Sequence, residues 1–224
     1  MKRRTLDIAF ALGGALFSVL LLVLGLVLKD QANFAKDYVH SELTSQKINF
    51  TPAKFLSDEE KKADCLVKYG TTDGDDTKGQ LMSTGKMAEC YASSYIALHM
   101  EESATAAGYE GATFSTMGAY VRPGTEVSLV DQVQAAKDAG DTAKADELTA
   151  KLDEAKGLRS TLQTGETLRG LLLTSYGFSI FGDKADLAST VCFIAFGLLL
   201  LLSIAGLAHA FLSKKADKVI LKVD

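Results

Sequence analysis

Two apolar runs decide what this chain can become. Ile8 to Leu28 is 21 residues without a charge, and Thr190 to Leu212 holds no Asp, Glu, Lys or Arg, with His209 near its end. A helix rises about 1.5 Å per residue and the hydrocarbon core of a bilayer is about 30 Å thick, so ~20 apolar residues cross it. Both runs meet that length. The basic start, MKRR, would also suit a secretory signal. The apolar part of such a signal is roughly 7–15 residues, shorter than the first run. The nearest small-residue pattern, Ala32 to Ala35, lies past Lys29 and Asp30, and no lipobox cysteine closes the run. The first run is therefore expected to stay as a span.

Charge sets the expected orientation. Outside the spans the two ends carry 7 Lys/Arg against 3 Asp/Glu, while Lys29 to Ser189 carries 17 against 25. Basic flanks remain in the cytoplasm. The expected order is a cytoplasmic N-terminus (1–7), a first transmembrane helix (8–28), an extracytoplasmic domain (29–189), a second transmembrane helix (190–212) and a cytoplasmic tail (213–224). The location that follows is the plasma membrane of a bacterium. The spread-out acidity of the middle segment excludes nucleic acid as a partner.

The cysteines fit an oxidising exterior. Cys192 lies within the second span, whereas Cys65 and Cys90 share the middle segment. Two exterior cysteines allow one intramolecular pairing, so a Cys65–Cys90 disulfide is expected. Their spacing is not the C-x-x-C of a redox pair.

The rest reads as helix. Gln31 to Gln46 has neither proline nor glycine and places Phe34, Tyr38, Val39 and Leu43 at helical spacing, so the first span should continue outward until Pro52 breaks it. Ser57 to Glu60 is a capping box that should open a helix to about Lys68, with Gly70 just past its end. Thr71 to Gly79 is a loop without the glycine and glutamate positions of an EF-hand. Thr84 to Ala104 is amphipathic, with Met87, Tyr91, Tyr95 and Leu98 as its expected core stripe. Gly108 to Gly124 is irregular. A helical hairpin then turns at Gly140-Asp141, and Leu148, Leu152, Ala155, Leu158 and Leu162 line one face in the manner of a short antiparallel coiled coil. The expected fold is an all-α membrane protein: two transmembrane helices and an extracytoplasmic helical domain that includes this coiled-coil-like hairpin.

Leu168 to Gly182, LRGLLLTSYGFSIFG, raises the question of a third span. Its uncharged part, Leu171 to Gly182, is 12 residues where ~17 are needed. A third span would also place the C-terminal lysines outside. The segment is read as membrane-proximal and helical, with Gly170 and Gly177 permitting bends. Arg169, Tyr176, Phe178 and Phe181 form its contact surface, the aromatic rings sit at headgroup level, and Asp183 to Asp186 turns the chain into the second span.

The stretches RRTLDIAFALGGALFSVLLLVLGLVL, ANFAKDYV, INFTP, DCLVKY, GKMAECYA and GETLRGLLLTSYGFSIFG together resemble an uncharacterised family of two-span actinobacterial membrane proteins. The resemblance covers most of the chain and is weakest in the hairpin. It implies this topology and a Gram-positive setting. Members often carry the label aromatic ring-opening dioxygenase. Such an enzyme needs iron on two histidines and a carboxylate with open positions. His209 lies across the membrane from His40 and His99, and nothing in the spacing gathers those two with Glu101 or Glu102 on one face. The chain is expected to be non-catalytic and to hold no metal or cofactor.

What remains is packing. Ala11 and Ala15, Gly14 and Ser18, and Gly206 and Ala210 are small residues four apart, which let helices approach closely. They suit pairing of the two spans or docking against another membrane protein. Asp7 and His209 end the spans at similar depth and are expected to be hydrated, although a pair between them would staple the spans. The expected role is an accessory or assembly subunit of a larger membrane complex, respiratory or cell-envelope. Its partners would be lipid and other integral membrane proteins. The alternative is a self-assembling envelope or membrane-organising protein. An extracytoplasmic enzyme or ligand sensor ranks third.

Overall fold

The computed structural model describes residues 3–212, which are helical throughout apart from turns, loops and two isolated bridges, Asn49 with Leu81 and Thr72 with Asp75. The elements are α1 (Arg3–Ser45), α2 (Asp64–Tyr69), α3 (Gly85–Cys90), α4 (Ala97–Ala106), α5 (Gly118–Val121), α6 (Leu129–Asp138) and α7 (Thr142–Leu212). Short 3₁₀ turns precede α2 at Ala53–Phe55 and Glu60–Lys62, and a π turn at Tyr91–Ile96 joins α3 to α4. Two compact units emerge: residues 3–38 with 178–212, and residues 39–177. The expected tail, 213–224, lies outside the described residues.

The long helices α1 and α7 contain the two apolar runs, with mean hydropathy of 2.6 and 2.7 in their most apolar windows. Only 17% and 6% of those windows is buried within the protein. The core helix of a water-soluble protein would be mostly covered. Both helices are long and apolar enough to cross a membrane.

The outward extension of α1 is present, but it ends seven residues ahead of Pro52. Gln46 and Lys47 donate their backbone N–H groups to the Leu43 and Thr44 carbonyls, and Lys47 turns the chain with φ 54°. α7 is the larger departure from expectation. It runs 71 residues without a break, through Gly170, Gly177 and Asp183 to Asp186. The turn expected at Asp183 to Asp186 does not occur: no proline interrupts α7, and Asp183 and Asp186 are ion partners of Lys29 and Lys36 on α1.

Residues 39–177 enclose one apolar core. It gathers Val39 and Leu43 of α1, Leu66 of α2, the α3–α4 face, Leu129 and Val133 of α6, and Leu148, Leu152, Ala155, Leu158 and Leu162 of α7. The hairpin forms as its punctuation requires: Gly140 takes φ 72° and Asp141 accepts the Lys144 N–H at 3.0 Å. The capping box also closes. Ser57 N donates to Glu60 Oε2 at 2.7 Å and Glu60 N donates to Ser57 Oγ at 3.1 Å. It opens a 3₁₀ turn, and the chain extends at Ala63 before α2 begins, so the expected single helix is split. Gly70 is not a left-handed cap (φ −73°). A Cβ there would sit 2.6 Å from the Thr51 carbonyl oxygen, so glycine serves close packing of two backbones.

The α3–α4 stripe is shifted from the expected one. The covered residues are Met87, Ala88, Ala92, Ile96, Met100 and Ala104, whereas Tyr91, Tyr95 and Leu98 are half-buried. The apolar and small side chains take the interior, and Tyr91 and Tyr95 pack half-buried against it. Cys65 and Cys90 form the expected disulfide, Cα to Cα 6.0 Å, tying α2 to α3.

Candidate interaction site

The helix pair in the first unit is organised by size. Ala11, Ser18, Gly25 and Ala32 recur every seven residues on α1, and Gly182, Ser189, Ser203 and Ala210 hold matching steps on α7; all are covered. A seven-residue repeat returns close to the same face of a helix, drifting by only about 20° per repeat. The approach is close. A Cβ on Gly14 would stand 2.6 Å from Ser203 Oγ, one on Gly25 would stand 2.9 Å from the Phe193 ring, and one on Gly182 would stand 2.9 Å from Ala35 Cβ. Gly206 lies against Ala11. The small residues anticipated at Ala11, Gly14, Ser18, Gly206 and Ala210 thus meet within one chain, with Ala15 half-buried beside them.

Charge closes both ends of this seam. Beyond the first apolar run, Asp186 accepts from Lys29 and Lys36 at 2.7 Å each, and Asp183 lies 3.8 Å from Lys36. These bonds, first from Lys29 and then from Lys36, hold the Asp186 carboxyl down at about 2, and Asp186 in turn lifts Lys36. At the other end His209 Nδ1 and Asp7 Oδ2 are 3.2 Å apart, and Arg4 lies over the Phe211 ring. Asp7 and His209 are therefore partners, not separately hydrated groups. Beside them a groove of about 310 Å³ stays open along the pair, floored by Ala11, Gly14 and Gly206 and walled by Phe10, Leu199 and Leu202.

In the second unit polar and aromatic contacts gather around the π turn. The π turn places its hydrogen bonds in a wider ring than an α-helix, and Arg169 Nε donates to the Ala92 carbonyl within it at 3.1 Å while Nη1 bonds Glu166 at 2.7 Å. Gly165 leaves the space into which Met100 packs. Tyr69, Phe50, Tyr91, Tyr95 and His99 follow one another as ring neighbours, with centroids 4.2–5.5 Å apart. Burial, with Tyr95 alongside, pushes the Tyr91 phenol above its ordinary range. His99 Nδ1 meets the Tyr95 carbonyl at 2.9 Å, and its Nε2 faces Glu60 at 3.8 Å. His40 instead meets the Ser83 carbonyl. Among the described residues no three His, Cys, Asp or Glu side chains converge on a point that a metal could occupy.

The four residues expected to form one membrane-proximal surface are not gathered. Arg169 is engaged inside the second unit, and Tyr176 lies under Lys86 in that same unit. Phe178 belongs to the helix pair, edge-on to Phe34 and Tyr38 at 6.5 and 5.9 Å. Phe181 is 76% exposed. The seven-residue repeat and the Lys29–Asp186–Lys36 cluster were not anticipated. The repeat of small residues was visible in the sequence, but the ion cluster needed the pairing register. No family model, curated protein or solved structure matches this chain.

Proposed function

We propose that this protein is a two-pass plasma-membrane protein acting as a non-catalytic accessory or assembly subunit of a larger complex, respiratory or cell-envelope. Both termini lie in the cytoplasm and the segment between the spans lies outside, following the basic ends and acidic middle. The setting is actinobacterial, on the resemblance already described.

The observation that carries this reading is the groove left after the spans have used their small faces on each other. It opens beside the Gly14–Ser203 and Ala11–Gly206 contacts, and its apolar walls of Phe10, Leu199 and Leu202 run along an otherwise lipid-facing pair. Those walls offer packing surface to a further helix, and association in lipid is driven by such packing. The folded unit of residues 39–177 then presents its surface on the exterior side.

The test is purification in mild detergent, followed by native mass measurement and identification of what accompanies the chain. A stoichiometric complex with other membrane proteins supports the subunit reading. A homo-oligomer alone favours the self-assembling alternative. Bound iron with turnover of a catechol overturns both.

A further inference from the structure

Phe34, Tyr38 and Phe178 form a cluster of ring contacts on the helix pair, with Phe34 and Tyr38 stacked at 5.8 Å. Phe181 follows three residues after Phe178 on the same side of α7. These rings are 55%, 51%, 38% and 76% exposed. Their height matters. At about 1.5 Å per residue, Phe34 and Tyr38 stand roughly 9 and 15 Å beyond Leu28. By the same rise Phe181 and Phe178 stand roughly 13 and 18 Å beyond Thr190. A headgroup layer adds only ~5–7 Å to the hydrocarbon on each side. With the hydrocarbon edges at Leu28 and Thr190, the cluster stands above the headgroups, on the water side of the level expected from sequence. Exposed apolar surface of this kind marks a protein contact.

We propose that this cluster is the docking surface for another integral membrane protein, which inserts an apolar extramembrane segment flanked by lysine or arginine. The reading rests on the subunit role above and names the chemistry of the partner. Charge selects the occupant. Asp30 and Asp37 share the α1 face of Phe34 and Tyr38, both are exposed, and neither makes an ion pair with the described residues. The nearby Lys29 and Lys36 are committed to Asp186 and Asp183. A second copy lying parallel in the same membrane would bring these carboxylates against their own equivalents, which is repulsive. Anionic headgroups are repelled for the same reason and are too low.

The test places a diazirine-bearing phenylalanine analogue at Phe34, at Phe181 or, within the span, at Leu16, in the full chain in its native membranes. The expected result is a crosslink from Phe34 and Phe181 to a peptide of a different membrane protein, with a lysine or arginine within one helical turn of the attachment point. Asp30→Lys with Asp37→Lys should lower that yield about tenfold, since like charges across an interface cost at least this much. Adducts only to lipid, or only to a second copy, overturn the proposal, as does a yield indifferent to the charge reversal. A partner crosslink from Leu16 alone leaves the subunit role standing and removes this surface from it. No protein adduct at any position removes both.

Discussion

Arg169 Nε donates to the Ala92 carbonyl at 3.1 Å, across 77 positions of sequence. The acceptor belongs to the π turn between α3 and α4, and the arginine side chain is mostly covered. Removing the donor takes the side-chain partner from the carbonyl of a fully covered residue, which costs roughly 1–3 kcal/mol. Arg169→Leu should lower the stability of the full chain by that amount in denaturant titrations in detergent. Glu166→Gln removes only the exposed ion partner and should cost under ~1 kcal/mol. Equal effects for both variants would show that the carbonyl contact is not what holds the turn.

The Cys65–Cys90 bond joins positions 25 apart and links α2 to α3 beside the same core. Closing such a loop restricts the unfolded chain and is typically worth about 2–4 kcal/mol. Cys65→Ser with Cys90→Ser should show that loss, and reductant should reproduce it in the parent chain. Alkylation under denaturing, non-reducing conditions should label Cys192 alone, and reduction should expose all 3 cysteines.

How far the sequence led depended on the range of the interaction involved. Caps are local, so the Ser57–Glu60 box and the Gly140–Asp141 turn could be read from four or five residues, and both formed. The hairpin stripe from Leu148 to Leu162 was legible because 3.6-residue periodicity needs only one helix. The stripe of Met87, Tyr91 and Tyr95 does face the core, but residue size and polarity give the fully covered line to Ala88, Ala92, Ile96 and Met100 and leave the tyrosines half-buried against it. Gly70 illustrates a third limit. Its position looked like a cap, but its reason is the Thr51 backbone 19 positions away, which no local pattern reports. Asp183 to Asp186 resembled a turn because three charged residues interrupt an apolar run. Its two aspartates instead serve Lys29 and Lys36 on the other helix, so the interruption is a contact and the helix continues.

Close approach along the seam makes its glycines intolerant of bulk. Gly25→Leu would drive a side chain into Phe193 and Cys192, and Gly182→Leu would drive one into Ala35. Overpacking a fitted site typically costs about 1–3 kcal/mol. In a Cys192→Ser background, cysteines at Ala11 and Gly206 should crosslink readily, because a Cβ on Gly206 lies 3.4 Å from that of Ala11. Adding Gly25→Leu should reduce the yield severalfold. Gly13→Leu, where nothing lies within 4 Å, should leave it unchanged and serve as the control.

The ion cluster beyond the spans gives the helix pair a defined pH range. Lys29 and Lys36 hold Asp186 at about 2. The carboxyl is depressed in the folded protein, so its contribution is complete above the unfolded value of about 3.9 and fades as pH falls through that value toward the folded one. Lys36 is shifted upward, chiefly by its bond to Asp186. Its contribution is complete below its unfolded value of about 10.4 and is lost only as pH rises through the higher folded one. This end of the pair should therefore hold unchanged between roughly pH 4 and 10 and loosen outside that range. Spin labels at the exposed positions Gln31 and Leu187, in lipid nanodiscs, should report one narrow distance across that interval and a broad distribution near pH 2–3. Asp186→Asn should broaden the distribution at every pH. Raising the salt to about 1 M should broaden it less than acid does, since the bonded pairs lie within a Debye length of ~3 Å. A narrow distance that persists in Asp186→Asn would assign the register of the pair to its small-residue seam alone.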